Sequence, residues 1–77
     1  MKVYFDEEID YAEIFFREGR NYGVNISKEI TQFRSEDTEE VIGYGFENAS
    51  ETVFECKMID ENTKEEFRKV LEKSIWV

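Results

Sequence analysis

Apolar and polar positions change their period about two-thirds of the way along the chain. Up to residue 47 the apolar residues fall in short alternating runs, and from Asn62 onward they fall three or four apart. The clearest alternation is VIGYGFE, residues 41–47. Ile42, Tyr44 and Phe46 take one face of a strand there, and Val41, Gly43 and Gly45 take the other. The bare face invites a close neighbour, such as a helix, a backbone or a cross-strand aromatic, or else marks a bulge or bend. YAEIFF, residues 11–16, sets Ala12, Ile14 and Phe16 against Tyr11, Glu13 and Phe15, so aromatic side chains occupy both faces.

Two more strands are predicted, a short one at Lys2–Phe5 and another from about Ile26 to Arg34. The second is weakly patterned, because Ile26 and Ile30 share a parity with Lys28 and Gln32, and such a pattern suits an edge strand or one with a partner-facing side. REGRNYG, residues 17–23, reads as a polar loop with Gly19 and Gly23 supplying positive φ, and SEDTEE, residues 35–40, as another. NASETVFECKMI, residues 48–59, fits both periods. Helix is preferred because Asn48 or Ser50 can cap it.

The last helix is clearer. Asn62 can act as N-cap with Glu65 at the third helical position, or Thr63 with Glu66, and Phe67, Val70, Leu71 and Ile75 then form one apolar stripe. The pattern therefore predicts one α+β domain over residues 1–77. A four-stranded antiparallel β-meander within residues 1–47 carries the C-terminal helix on one face, and residues 48–77 are mainly helical. A single helix covers one face only. The side bearing Tyr11, Phe15 and Phe33 is left for a second copy or another partner.

Composition sharpens this expectation. Seven Phe, four Tyr and one Trp are a heavy aromatic load for 77 residues, and a chain this short buries only about 60% of its unfolded surface. Some of that burial is therefore expected between chains, in a homodimer or with a heterologous protein. Trp76, just past the last helix, reads as a core or interface anchor. Nineteen acidic residues against ten basic ones give a net charge of −9, which disfavours direct nucleic-acid binding and either serves plain solubility or attracts a basic protein partner.

Candidate chemistry is sparse. The chain has no histidine, which removes the commonest general acid/base and the Ser-His and Cys-His nucleophile systems. Cys56 stands alone and reads as a small buried thiol. Asp60 to Glu65 resembles a calcium loop only at its start, since Lys64 replaces a ligand and Glu65 stands where glycine is required. The acidic cluster in FDEEIDYAEIFF, residues 5–16, reads as a hairpin turn: Asp6, Glu7, Glu8 and Asp10 are assigned to water. Glu13 lies within the following strand, on an outer face where it meets either solvent or a partner's positive charge, and it is the acidic residue best placed to touch a partner. No catalytic residue, metal site or cofactor is expected. The opening MKVYFDEE lacks the apolar stretch of a signal peptide and no run is long enough to span a membrane, so a cytosolic location is expected.

Two stretches resemble a known family. MKVYFDEEIDYAEIFF and ISKEITQFRSEDTEEVIGYGFENAS are similar to the two halves of the small prokaryotic family called domain of unknown function 2283. The shared features are Asp6, Glu8, Asp10, Ile14, Val41, Ile42, Gly43, Phe46, Asn48, Ala49 and Ser50, over roughly residues 1–50. The family's hairpin loop commonly carries Asp-Gly, whereas Asp37 is followed here by Thr38, and the family does not account for the helical end. The resemblance implies a compact antiparallel sheet without established catalytic residues, and an antitoxin-like association with small basic proteins.

The expected function is thus a non-catalytic protein-interaction module, antitoxin-like in neutralising a basic partner. Its expected partner-binding residues are Tyr11, Glu13, Phe15, Phe33, Gly43, Gly45 and Trp76. The alternative is a self-contained homodimer that binds a small apolar ligand or has a purely structural role.

Overall fold

A computed structural model describes residues 1–75, with side chains described through residue 73. The chain forms β1 (Lys2–Asp6), β2 (Tyr11–Phe15), β3 (Asn21–Asn25), β4 (Ile30–Ser35) and β5 (Val41–Glu47), followed by α1 (Ala49–Glu55) and α2 (Glu61–Ile75). All strand pairs are antiparallel, in the order β1-β2-β5-β4-β3. The α+β class, with its antiparallel sheet and helical C-terminal part, agrees with the hydrophobic pattern. The strand number does not: the described residues form five strands rather than four, and β5 inserts between two hairpins instead of closing a meander.

The extra strand is β3, in the sequence NYGVN that straddles the expected loop. It pairs with β4 in register from Asn21 opposite Ser35 to Asn25 opposite Thr31. The turn between them contains no glycine. Ser27 closes it by accepting the Ile30 N–H at its Oγ, 3.1 Å away, a local side-chain-to-backbone bond of the kind that defines serine turns. The expected third strand is thus split into the turn at 26–29 and β4. β4 is interior, paired on both sides, so the edge role belongs to β3.

One face of the sheet is covered by the helices. Ala12, Ile14, Tyr44, Phe46, Ala49, Val53, Cys56, Ile59 and Phe67 make the core, with Val3, Phe5, Ile30, Val41, Phe54 and Leu71 packed against it. Phe67 of α2 is the keystone. Its ring meets Phe5 edge-on at 5.5 Å and Phe54 at 5.7 Å, tying both helices to the sheet. Within the predicted apolar stripe Phe67 is buried and Val70 and Leu71 are half-buried; the Ile75 side chain lies outside the described residues. Cys56 is a buried free thiol, as its isolation predicts.

The cap of α1 falls at the expected Asn48 but is made by another residue, and the cap of α2 lies before the expected one. The N-cap of α1 is Asn48, in the left-handed region at φ 52°, but its side chain makes no capping bond. The cap comes from Asp10. Its carboxylate accepts the Ser50 N–H at 2.9 Å and the Ser50 hydroxyl at 2.6 Å, and its carbonyl accepts the Ala49 N–H at 2.8 Å. Asp10 is therefore not simply a solvated turn residue. It ties the first hairpin to a helix that begins about forty positions later in the chain. α2 is capped by Asp60, whose carboxylate accepts the Thr63 N–H at 2.8 Å, two residues before the expected Asn62. Hydrogen bonding from the Thr63 side chain, and then from its N–H, holds the Asp60 carboxyl below the usual carboxylate range.

Candidate functional site

The helix-free face is built by strict alternation along the strands. Residues directly opposite one another share a face, so three rows can be read from the register. Asp6, Tyr11 and Glu47 form one row; Tyr4, Glu13, Gly45, Thr31 and Asn25 form the next; Lys2, Phe15, Gly43, Phe33 and Gly23 form the third. Six of the seven residues expected to bind a partner, Tyr11, Glu13, Phe15, Phe33, Gly43 and Gly45, are brought together here. Trp76, the seventh, lies outside the described residues.

The glycines explain how the face is closed without a second layer. Phe15 and Phe33 flank Gly43 from the neighbouring strands, and their rings stack above it with centroids 5.1 Å apart and planes 22° apart. A Cβ at Gly43 would lie 2.6 Å from the Ile14 carbonyl oxygen and 2.7 Å from the Phe15 ring. A Cβ at Gly45 would meet the Tyr11 hydroxyl at 2.8 Å and the Phe33 ring edge at 3.1 Å. The close neighbour invited by the bare face of VIGYGFE is therefore a set of cross-strand aromatics, together with one backbone carbonyl. A bulge is present as well, where the register shifts at Phe33/Arg34 opposite the start of β5.

Tyr11 donates its hydroxyl to the Glu13 carboxylate at 2.7 Å. Burial comes first among the causes that push its phenol well above the usual tyrosine range. The bond to Glu13 and the negative charges of Glu13 and Glu47 follow. The phenol therefore stays a donor, and it orients the Glu13 carboxylate along the face. With Asp6 and Glu47 on either side of Tyr11, three carboxylates share one end of the face, and Lys2 sits at the other. Tyr4, opposite Glu13, is 54% exposed. A shallow groove of about 800 Å³ opens at the Lys2 end, with Tyr4, Glu13 and Phe15 in its wall.

Sequence reasoning missed Tyr4, Asp6 and Glu47 as members of this face. Lys2–Phe5 is too short to reveal its phase, and only the pairing of β1 with β2 sets Tyr4 beside Glu13. Among the described residues, no group of three or more histidine, cysteine, aspartate or glutamate side chains converges closely enough to hold a metal ion, so the three carboxylates form a field rather than a ligand set. No helix among the described residues is long and apolar enough to cross a membrane. The chain matches no family model, no curated protein and no solved structure.

Proposed function

We propose that this chain is a non-catalytic protein-interaction module whose helix-free face receives a basic partner, in the manner of an antitoxin that neutralises a small cationic protein. One observation carries the reading: Glu13, oriented by Tyr11, shares its face with Tyr4 directly opposite and with the stacked rings of Phe15 and Phe33. A guanidinium suits both parts, because it pairs with a carboxylate through parallel N–H donors and also stacks on aromatic rings. The net charge of −9 adds long-range attraction for such a partner and speeds its arrival. The buried, unpaired Cys56 thiol suits a reducing compartment, so the cytosolic expectation is carried with the proposal.

The test compares two charge reversals on immobilised protein in a native lysate. Glu13→Lys lies on the proposed face, and Glu72→Lys lies on α2. A basic protein retained at low salt, released at high salt, lost with Glu13→Lys and kept with Glu72→Lys supports the reading. Equal retention by both variants contradicts it, because capture would then follow net charge alone.

A further inference from the structure

β3 is an edge strand without the usual blocks. NYGVN contains no charged residue and no proline, and it pairs only with β4. The phase of its backbone follows from two bonds at its ends. The Ile26 N–H donates to the Ile30 carbonyl, and the Arg20 carbonyl accepts from the Glu36 N–H, each at 3.0 Å. Even-numbered residues therefore turn their backbone groups towards β4, while Asn21, Gly23 and Asn25 turn theirs outward.

We propose that two copies of the chain pair antiparallel through β3, about a two-fold axis at Gly23, joining their sheets into one. The strand is self-complementary in that arrangement. Gly23 faces Gly23 of the second copy, and Asn21 faces Asn25 in both directions. Each of these three pairs exchanges two backbone hydrogen bonds, so every outward-facing group of the strand is used. Tyr22 then lies opposite Val24 at the closer, non-hydrogen-bonded positions. These side chains are on the helix side of the sheet, in a part the helices do not reach: Tyr22 is 37% exposed and Val24 half-buried. The same axis brings Glu18, just before β3, towards Lys28 of the second copy, just after it. Among the described residues neither has an ion-pair partner within its own chain.

The opposite edge is less suited to a second copy. The Phe16 N–H donates to the Ile42 carbonyl, which fixes the phase of β2 and leaves only Val3 and Phe5 with outward backbone groups on β1. Pairing there would use two outward residues per copy, against the three that β3 offers. Pairing through β3 also leaves the aromatic face open, so the dimer is independent of the proposed partner and offers that partner two faces at once.

Sedimentation equilibrium over a dilution series tests the dimer, with Asn25→Pro as the edge-blocking variant. Proline there removes an outward N–H and spares the backbone bonds to β4, losing only the side-chain bond that the Thr31 hydroxyl donates to Asn25. The wild-type chain is expected to dimerise reversibly and to remain dimeric at high salt, where capture of a basic partner fails. Asn25→Pro is expected to weaken the dimer about tenfold or more, with an unchanged far-ultraviolet circular dichroism spectrum. A second variant, Tyr22→Cys combined with Val24→Cys, should give a covalent dimer under mild oxidation, linked between position 22 of one copy and position 24 of the other. A monomer at every concentration overturns the proposal, as does a dimer that a folded Asn25→Pro chain forms equally well. Should the proline variant not fold, the cross-link alone decides, and its absence overturns the proposal.

Discussion

The two faces of β5 solve the same packing problem in opposite ways. On one, Tyr44 and Phe46 project from the strand itself and need a second layer, which α1 and α2 provide. On the other, Gly43 and Gly45 project nothing, and β2 and β4 lay Tyr11, Phe15 and Phe33 across the gap. The first solution gives a sealed core in which Ala12, Ile14, Phe46, Val53 and Phe67 have no exposed surface. The second gives a half-buried aromatic floor that still meets solvent. A sheet that supplies its own cover can fold with one face uncovered by helices and keep that face for recognition.

Truncation should separate the faces most strongly. Phe67→Ala removes the ring that joins both helices to the sheet and is expected to cost about 3–5 kcal/mol in urea unfolding. Phe33→Ala, on the half-buried face, should cost clearly less, about 1–2 kcal/mol, while abolishing partner capture. Equal losses would mean that the aromatic face is a second core rather than a recognition surface.

The glycines should differ from each other. At Gly43 the added methyl meets a backbone carbonyl that cannot step aside, so Gly43→Ala is expected to destabilise by about 2–3 kcal/mol. At Gly45 it meets a hydroxyl and a ring edge that can move, and about 1 kcal/mol is expected. Thermal or urea unfolding of the two variants side by side measures the difference.

The two helix caps give smaller effects. Asp10→Ala leaves the Ala49 bond to the backbone carbonyl but removes both carboxylate bonds to Ser50, and about 1–2 kcal/mol of stability should go with them. Asp60 supplies a pH signature. Its carboxyl is held low by the folded state, so its contribution is present above the ordinary aspartate pKa and is lost as pH falls through the depressed value. The difference in melting temperature between wild type and Asp60→Ala should be steady near neutral pH and close in acid. A difference that persists fully below the titration range contradicts the capping role.

Residues whose neighbours lie close in sequence were the legible ones. The alternation in VIGYGFE disclosed both faces of β5, and the spacing of Phe67, Val70 and Leu71 disclosed α2. β3 was illegible because two asparagines and a glycine in five residues signal a loop, and only pairing with β4 overrides that preference. Asp10 was illegible for a related reason. Its partner Ser50 arrives only when the β2–β5 seam places the end of one strand beside the end of the other. The six described face residues were found from strand parity, whereas Tyr4 required the register of β1.

The central claim is that the aromatic, carboxylate-bearing face recognises cationic side chains through its geometry as well as its charge. Backbone amide shifts during titration of ¹⁵N-labelled protein with a short arginine-rich peptide test it most directly. Recognition by the face predicts saturable shifts at Glu13, Phe33, Gly43 and Gly45 that disappear in Phe33→Ala. Shifts confined to the acidic turns at residues 7–10 and 36–40, and unchanged in Phe33→Ala, would contradict it.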